Sequence, residues 1–130
     1  MIVVDSSAWL EVLLDGPLAE VFAERIDAED AVIVPAIVVY EVYKVALRER
    51  GEEAADTIAA QIMSHDVAEL DADLAVYSAM VSTEHGLPMA DAIVYATALA
   101  GDAVLLTSDV DSAGLPNVDY LPKPGDDASG

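Results

Sequence analysis

From Gly86 to Asp109 the chain reads GLPMADAIVYATALAGDAVLLTSD. Met89 to Ala100 carry a helical period, and Gly101 marks the end of that helix. Ala103 to Thr107 then form a short apolar run of strand character. Helix followed by buried strand is the repeating unit of an α/β fold. An acid stands at each end of the block: Asp91 in the first turn of the helix and Asp109 two residues past the strand.

The same alternation extends outward in both directions. Strand-like runs are expected at Ile2–Val4, Ala31–Val34, Val67–Leu70, Ala103–Thr107 and Val118–Leu121. Six helical segments separate them. The first, capped by Ser6 and Ser7, runs to about Leu14, and the second opens at Gly16-Pro17 and runs through Ile26. The others are Pro35–Arg50, Glu52–Ser64, Ala72–His85 and Met89–Ala100. The pattern predicts a three-layer α/β/α sandwich on a mostly parallel sheet of about five strands. It also predicts one domain over residues 1–121 and a loose tail over 122–130, rich in Pro, Gly, Asp and Ser.

In a parallel sheet, helices begin at the carboxyl edge of the strands, which is where such folds bind ligands. Asp5 directly follows the first strand and Asp109 follows the fourth, so both belong to that edge. Asp91 reaches it from the start of its helix. Glu41 lies about a turn and a half into the third helix, roughly 8 Å from its start, within reach of a glutamate side chain. Each acid also has an ordinary explanation. Asp5 fits a turn cap, Asp91 the positive end of a helix dipole, Asp109 an Asx turn, and Glu41 an i,i+3 pair with Lys44. Four carboxylates meeting at one edge would repel one another unless a divalent cation joined them. Oxygen donors without imidazole or thiolate favour Mg²⁺ or Mn²⁺ over zinc. Such a site suits phosphodiester hydrolysis. His65 and His85 fall near helix ends and are assigned no catalytic role.

The chain has no cysteine, which excludes disulfide scaffolds, thiolate metal sites and cysteine nucleophiles. Its hydrophobic share is 55%, yet the longest uncharged apolar runs, Ala31–Tyr40 and Ala92–Gly101, are ten residues each, too short to span a bilayer. No secretory leader is recognisable, and the expected location is the cytoplasm. The excess apolar content predicts self-association and a protein partner docked on the second, third and fourth helices. The formal charge of −20 comes from 25 acids against five lysines and arginines. By itself it opposes binding to phosphates. A halophilic source reconciles the two, because near 1 M salt the screening length falls to about 3 Å.

Three blocks resemble a PIN-domain protein of the VapC toxin type. They are Ile2-Val3-Val4-Asp5-Ser6-Ser7, Pro35-Ala36-Ile37-Val38-Val39-Tyr40-Glu41-Val42-Tyr43, and the stretch from Gly86 through Asp91 to Leu105-Leu106-Thr107-Ser108-Asp109. The resemblance covers the whole chain except the tail and is weakest between Gly51 and Leu70. It implies a magnesium-dependent endoribonuclease, the toxic half of a toxin–antitoxin pair, often a homodimer and inhibited by a small antitoxin protein. It implies metal binding by Asp5, Glu41, Asp91 and Asp109, and supporting hydroxyls at Ser6 and Thr107. Asp111 fits either an outer acid of the site or a simple turn residue. Many relatives carry phenylalanine shortly after the fourth acid, whereas this chain continues Asp111-Ser112-Ala113-Gly114.

For RNA contacts, Lys44 and Arg48 follow Glu41 on the third helix, with a surface cluster answering nearby glutamates as the alternative. Trp9, Tyr40 and Tyr43 could stack on bases but at their spacing fit the core better. Three other readings compete. An aspartate-based phosphatase needs a second aspartate where Ser7 stands. A receiver domain needs its phosphorylated aspartate near Asp71. A catalytically inactive PIN-like binding module would be expected to have lost some of the acids.

Overall fold

The computed structural model describes residues 1–125. Five strands form one parallel sheet: β1 (Ile2–Val4), β2 (Val32–Pro35), β3 (Asp66–Ala68), β4 (Val104–Thr107) and β5 (Val118–Tyr120). Their spatial order is β3-β2-β1-β4-β5, and every neighbouring pair is parallel. Six helices complete the expected three-layer sandwich: α1 (Ser6–Leu13), α2 (Ala19–Asp27), α3 (Ala36–Arg50), α4 (Glu52–Met63), α5 (Ala72–His85) and α6 (Met89–Ala100).

The strand order carries the functional information. From β1 the chain moves outward to β2 and β3, then returns across β1 to place β4 and β5 on the other side. The direction reverses between β1 and β4, and in open α/β sheets ligands bind outside the carboxyl ends of the strands at that reversal. Asp5 and Asp109 follow these two strands. The Asp5 N–H extends their pairing by donating to the Leu106 carbonyl at 3.0 Å. This order also differs from the 2-1-3-4-5 arrangement of receiver domains.

The central strands read as uninterrupted apolar runs because both faces are covered. Ile2, Val3, Val4, Leu105 and Leu106 are all buried. Residues 92–98 of α6 are buried without exception, so this helix is apolar around its whole circumference, as a helix inside a domain must be. The acid at its head, Asp91, is thereby carried by one of the most firmly packed elements.

Boundaries differ from the sequence expectation where tertiary contacts decide them. The third strand spans Asp66–Ala68 rather than Val67–Leu70, because β2 offers only Ile33, Val34 and Pro35 as partners. Leu70 is left exposed beyond it. The second helix starts at Ala19, not at Gly16-Pro17. The Leu18 N–H is taken by Glu11 Oε1 at 3.0 Å, and the Glu11 carboxylate occupies the space a Cβ at Gly16 would need. Of the expected tail, residues 122–125 follow β5 without helix or strand, and 126–130 lie outside the described residues.

Candidate active site

Asp5 occupies the N-cap position of α1 in extended backbone, yet its side chain caps nothing. It turns across the sheet instead. Oδ2 accepts the Thr107 hydroxyl at 2.7 Å and the Ser7 hydroxyl at 3.0 Å. Only 5% of the residue is exposed. Burial pushes its carboxyl up from the ordinary range; hydrogen bonds from Thr107, Ser7 and the Ser6 backbone oppose that rise, and the Asp109 charge adds to it. The expected capping role of Ser6 and Ser7 is not realised. Ser7 bonds within the site, and Ser6 acts on Glu41.

Asp91, Asp109 and Asp111 form the tightest group, each offering one carboxylate oxygen within 4.8 Å of the others. Asp91 sits in the first turn of α6, where the helix dipole favours a negative charge. Asp109 opens a single 3₁₀ turn, Val110–Ser112, and its Oδ1 accepts the Asp111 N–H at 3.0 Å. The Asx-turn reading of Asp109 is therefore correct for one oxygen. That same turn brings the Asp111 carboxylate beside those of Asp91 and Asp109.

The electrostatics record the crowding. Asp91 is pushed up to about 8, first by burial, then by a hydrogen bond shared with Asp109, then by the charges of Asp109, Asp5 and Asp111. Glu41 is also raised, by burial and the charge of Asp5, with a smaller push from Asp109, against a hydrogen bond from Ser6. Five carboxylates from four segments thus act on one another, with Asp5 and Glu41 at the margin of the tight trio.

The flanking residues divide differently. Lys44 forms no ion pair with Glu41; its ammonium lies 5.7 Å from the centre of the Tyr40 ring. Arg48 pairs with its neighbour Glu49 at 3.3 Å, as the surface-cluster alternative expects. Tyr40 is 62% exposed, against its expected place in the core, because α3 presents this position to solvent while Val38 and Val42 face inward. Trp9 is buried, as expected for core, and packs against His65 with ring centres 5.5 Å apart. Tyr43 is half-buried and donates to Asp56 Oδ1 at 2.7 Å. His85 meets the edge of Tyr95. Neither histidine joins the acids.

The hydrogen bonds of Ser7 to Asp5 and to the loop after β4 are what sequence reasoning missed. Its pattern, a serine just after a strand-end aspartate, reads locally as a helix cap. The partner that changes this reading, Thr107, lies 100 residues away.

A divalent cation fits this donor set. The trio offers only carboxylate oxygens, close enough to converge on one ion and mutually repulsive without one. Such ligands select hard cations, Mg²⁺ and Mn²⁺ among them.

The PIN domain family model matches residues 2–118. The chain belongs to the PIN domain family. This PIN domain superposes on the toxin–antitoxin complex from Klebsiella pneumoniae with a TM-score of 0.77 at 22% identity, covering 92% of this chain and 97% of that one. It is equally similar in fold to VapC20 from Mycobacterium tuberculosis, described as a sarcin–ricin loop cleaving toxin (TM-score 0.77, 23% identity, 91% and 98% covered). VapBC2 from Rickettsia felis, bound to a DNA fragment from its promoter, gives a TM-score of 0.74 at 15% identity over 94% and 98% of the chains. No curated protein sequence matches at a significant level. PIN domains are nucleases, and a cluster of acidic residues is present in this chain. Among the described residues, no helix is long and apolar enough to cross a membrane.

Proposed function

We propose that this PIN domain, over residues 1–121, is a metal-dependent endoribonuclease and the toxin of a toxin–antitoxin pair. One observation carries the reading: at the β1/β4 reversal of the sheet Asp91, Asp109 and Asp111 bring carboxylate oxygens within 4.8 Å of one another, and the charges of Asp5 and Glu41, from two further segments, act on the same cluster. Asp5, Glu41, Asp91 and Asp109 hold Mg²⁺ or Mn²⁺, Asp111 assists, and Ser6 and Thr107 support Glu41 and Asp5. When bound, the cation supplies an activated water and neutralises charge developing on the phosphate. Hydrogen bonds on the buried side of the cluster orient the Asp5 carboxylate, and Asp111 stands on its exposed side. Water adds to phosphorus as one P–O ester bond breaks, leaving a phosphate at one new end and a hydroxyl at the other.

Lys44 and Arg48 serve as phosphate contacts on α3. Lys44 is the better placed, since it is committed to no carboxylate among the described residues. Toxin–antitoxin complexes among the structural neighbours support a small antitoxin partner. Exposed apolar side chains support partner binding and a homodimer: Val21 on α2, Tyr40 and Leu47 on α3, Met63 on α4, and, beyond the helices expected, Val76 and Met80 on α5. The acid-rich composition supports a halophilic cytoplasm, in which salt screens repulsion between this surface and RNA.

Incubating the protein with RNA in molar potassium chloride, with Mg²⁺, with Mn²⁺ and with chelator, tests the reading. Cleavage in both metals and none in chelator is expected, together with growth arrest when the chain is expressed alone. Cleavage undiminished by chelator, or none under any condition, would overturn it.

A further inference from the structure

We infer that Ser7 is a positioning residue which, paired with Thr107, commits one oxygen of Asp5 to the protein and reserves the other for the cation. The inference rests on the reading of the acids as a divalent-cation site.

A hydroxyl has one proton to give and two lone pairs to receive. The Thr107 proton goes to Asp5 Oδ2 at 2.7 Å, and the Thr107 oxygen receives the Asp109 N–H at 2.9 Å. Ser7 repeats this pattern one residue away. Its proton goes to Asp5 Oδ2 at 3.0 Å, and its oxygen receives the Ser108 N–H at 3.0 Å. The two hydroxyl oxygens lie 3.2 Å apart.

Two consequences follow from this proton count. Oδ2 already accepts two hydroxyl protons, so Oδ1 is the oxygen of Asp5 with no side-chain donor and the one available to a cation. The same two hydroxyls also receive the backbone N–H groups of the loop that carries Asp109. Each therefore ties Asp5 and Asp109 together through a single atom and sets the distance between these two acids. A serine serving only to start α1 would bond a backbone N–H of its own helix, and α1 has no side-chain cap of any kind.

Calorimetric titration with Mn²⁺ alone, on the full chain in molar potassium chloride, tests this in the parent, Ser7→Ala and Ser7→Thr. Removing such a supporting hydroxyl should weaken Mn²⁺ binding by about 10- to 100-fold, while the threonine variant, which keeps the hydroxyl, should stay within about threefold of the parent. Amide exchange in chelator gives a reading free of both metal and activity. The Ser108 N–H should exchange faster in Ser7→Ala than in the parent, and at the parental rate in Ser7→Thr. Ser7 is only half-buried and its alanine variant loses one oxygen, so a cooperative melt in chelator should confirm that it folds. If it does not, the exchange and titration data for Ser7→Thr decide alone, and weak binding there overturns the inference. Mn²⁺ binding by Ser7→Ala as tight as the parent's also overturns it. A parent that binds no Mn²⁺ overturns the cation reading itself, and is seen before any variant is compared.

Discussion

Asp5 and Asp71 stand at the same local position and do opposite things. Each lies just beyond a strand of the sheet, each is the N-cap of the next helix, and their backbones are both extended, at φ −72°, ψ 160° and φ −89°, ψ 178°. Asp71 follows the edge strand β3, is exposed, and caps α5 by accepting the Leu74 N–H at 2.8 Å. Asp5 follows β1, is buried, and leaves its helix uncapped to bond hydroxyls from β4 and its own first turn. Local sequence cannot separate the two. What separates them is strand order: among the described residues β3 has no neighbour beyond it, whereas β1 lies beside β4, so the groups following β4 stand opposite Asp5.

The largest effect that would break this contrast is on cleavage. Asp5→Asn and Asp91→Asn should each lower RNA cleavage by about a hundredfold or more and abolish growth arrest in a folded protein. Asp71→Asn should cleave at the parental rate. Gel assays at matched protein and Mg²⁺ concentrations measure all three. Equal losses at Asp5 and Asp71 would mean that topology does not distinguish them.

A second, smaller effect concerns pH without metal. The folded carboxyl of Asp91 lies near 8 against an ordinary 3.8, so between these values the folded state holds a proton that the unfolded chain has released. Its stabilising contribution is complete below about pH 4 and is lost as pH rises through 8. Chelator-treated protein should therefore lose stability from pH 5 to 8, with a shallower slope in Asp91→Asn. Urea melts at fixed salt measure it.

The smallest effect belongs to Asp71 itself. Asp71→Ala should destabilise the fold by about 1 kcal/mol through loss of the cap, equally with and without metal. A metal-dependent cost at Asp71 would blur the contrast.

These two aspartates also show how much the sequence reveals. The three-layer fold and the elements β1, α6 and β4 were legible because their apolar runs are continuous and buried on both faces. Asp5, Asp91 and Asp109 could be placed at one edge because parallel topology fixes which ends of the elements meet. The hydrogen bonds of Ser7 were not legible, since they join it to Thr107 and Ser108, distant in sequence. Nor was the full place of Asp111, which a backbone turn at Asp109 folds inward. The start of α2 and the limits of β3 depended on Glu11 and on the short β2, both tertiary facts. Tyr40 was misplaced because periodicity around an all-apolar stretch gives no marker for the solvent side.

The central claim is that the converging acids bind a divalent cation, and thermal melts of the parent and Asp91→Asn test it most directly. Both are measured with chelator and with Mn²⁺ at a hundred times its dissociation constant, in fixed high potassium chloride. The parent should gain about 2.7 kcal/mol, roughly 10 °C for a chain of this size. Asp91→Asn should match or exceed the parent in chelator, because asparagine has no carboxyl whose ionisation the folded cluster suppresses, and should gain far less from Mn²⁺. Equal Mn²⁺-induced shifts in the two proteins would contradict the assignment of Asp91 as a ligand.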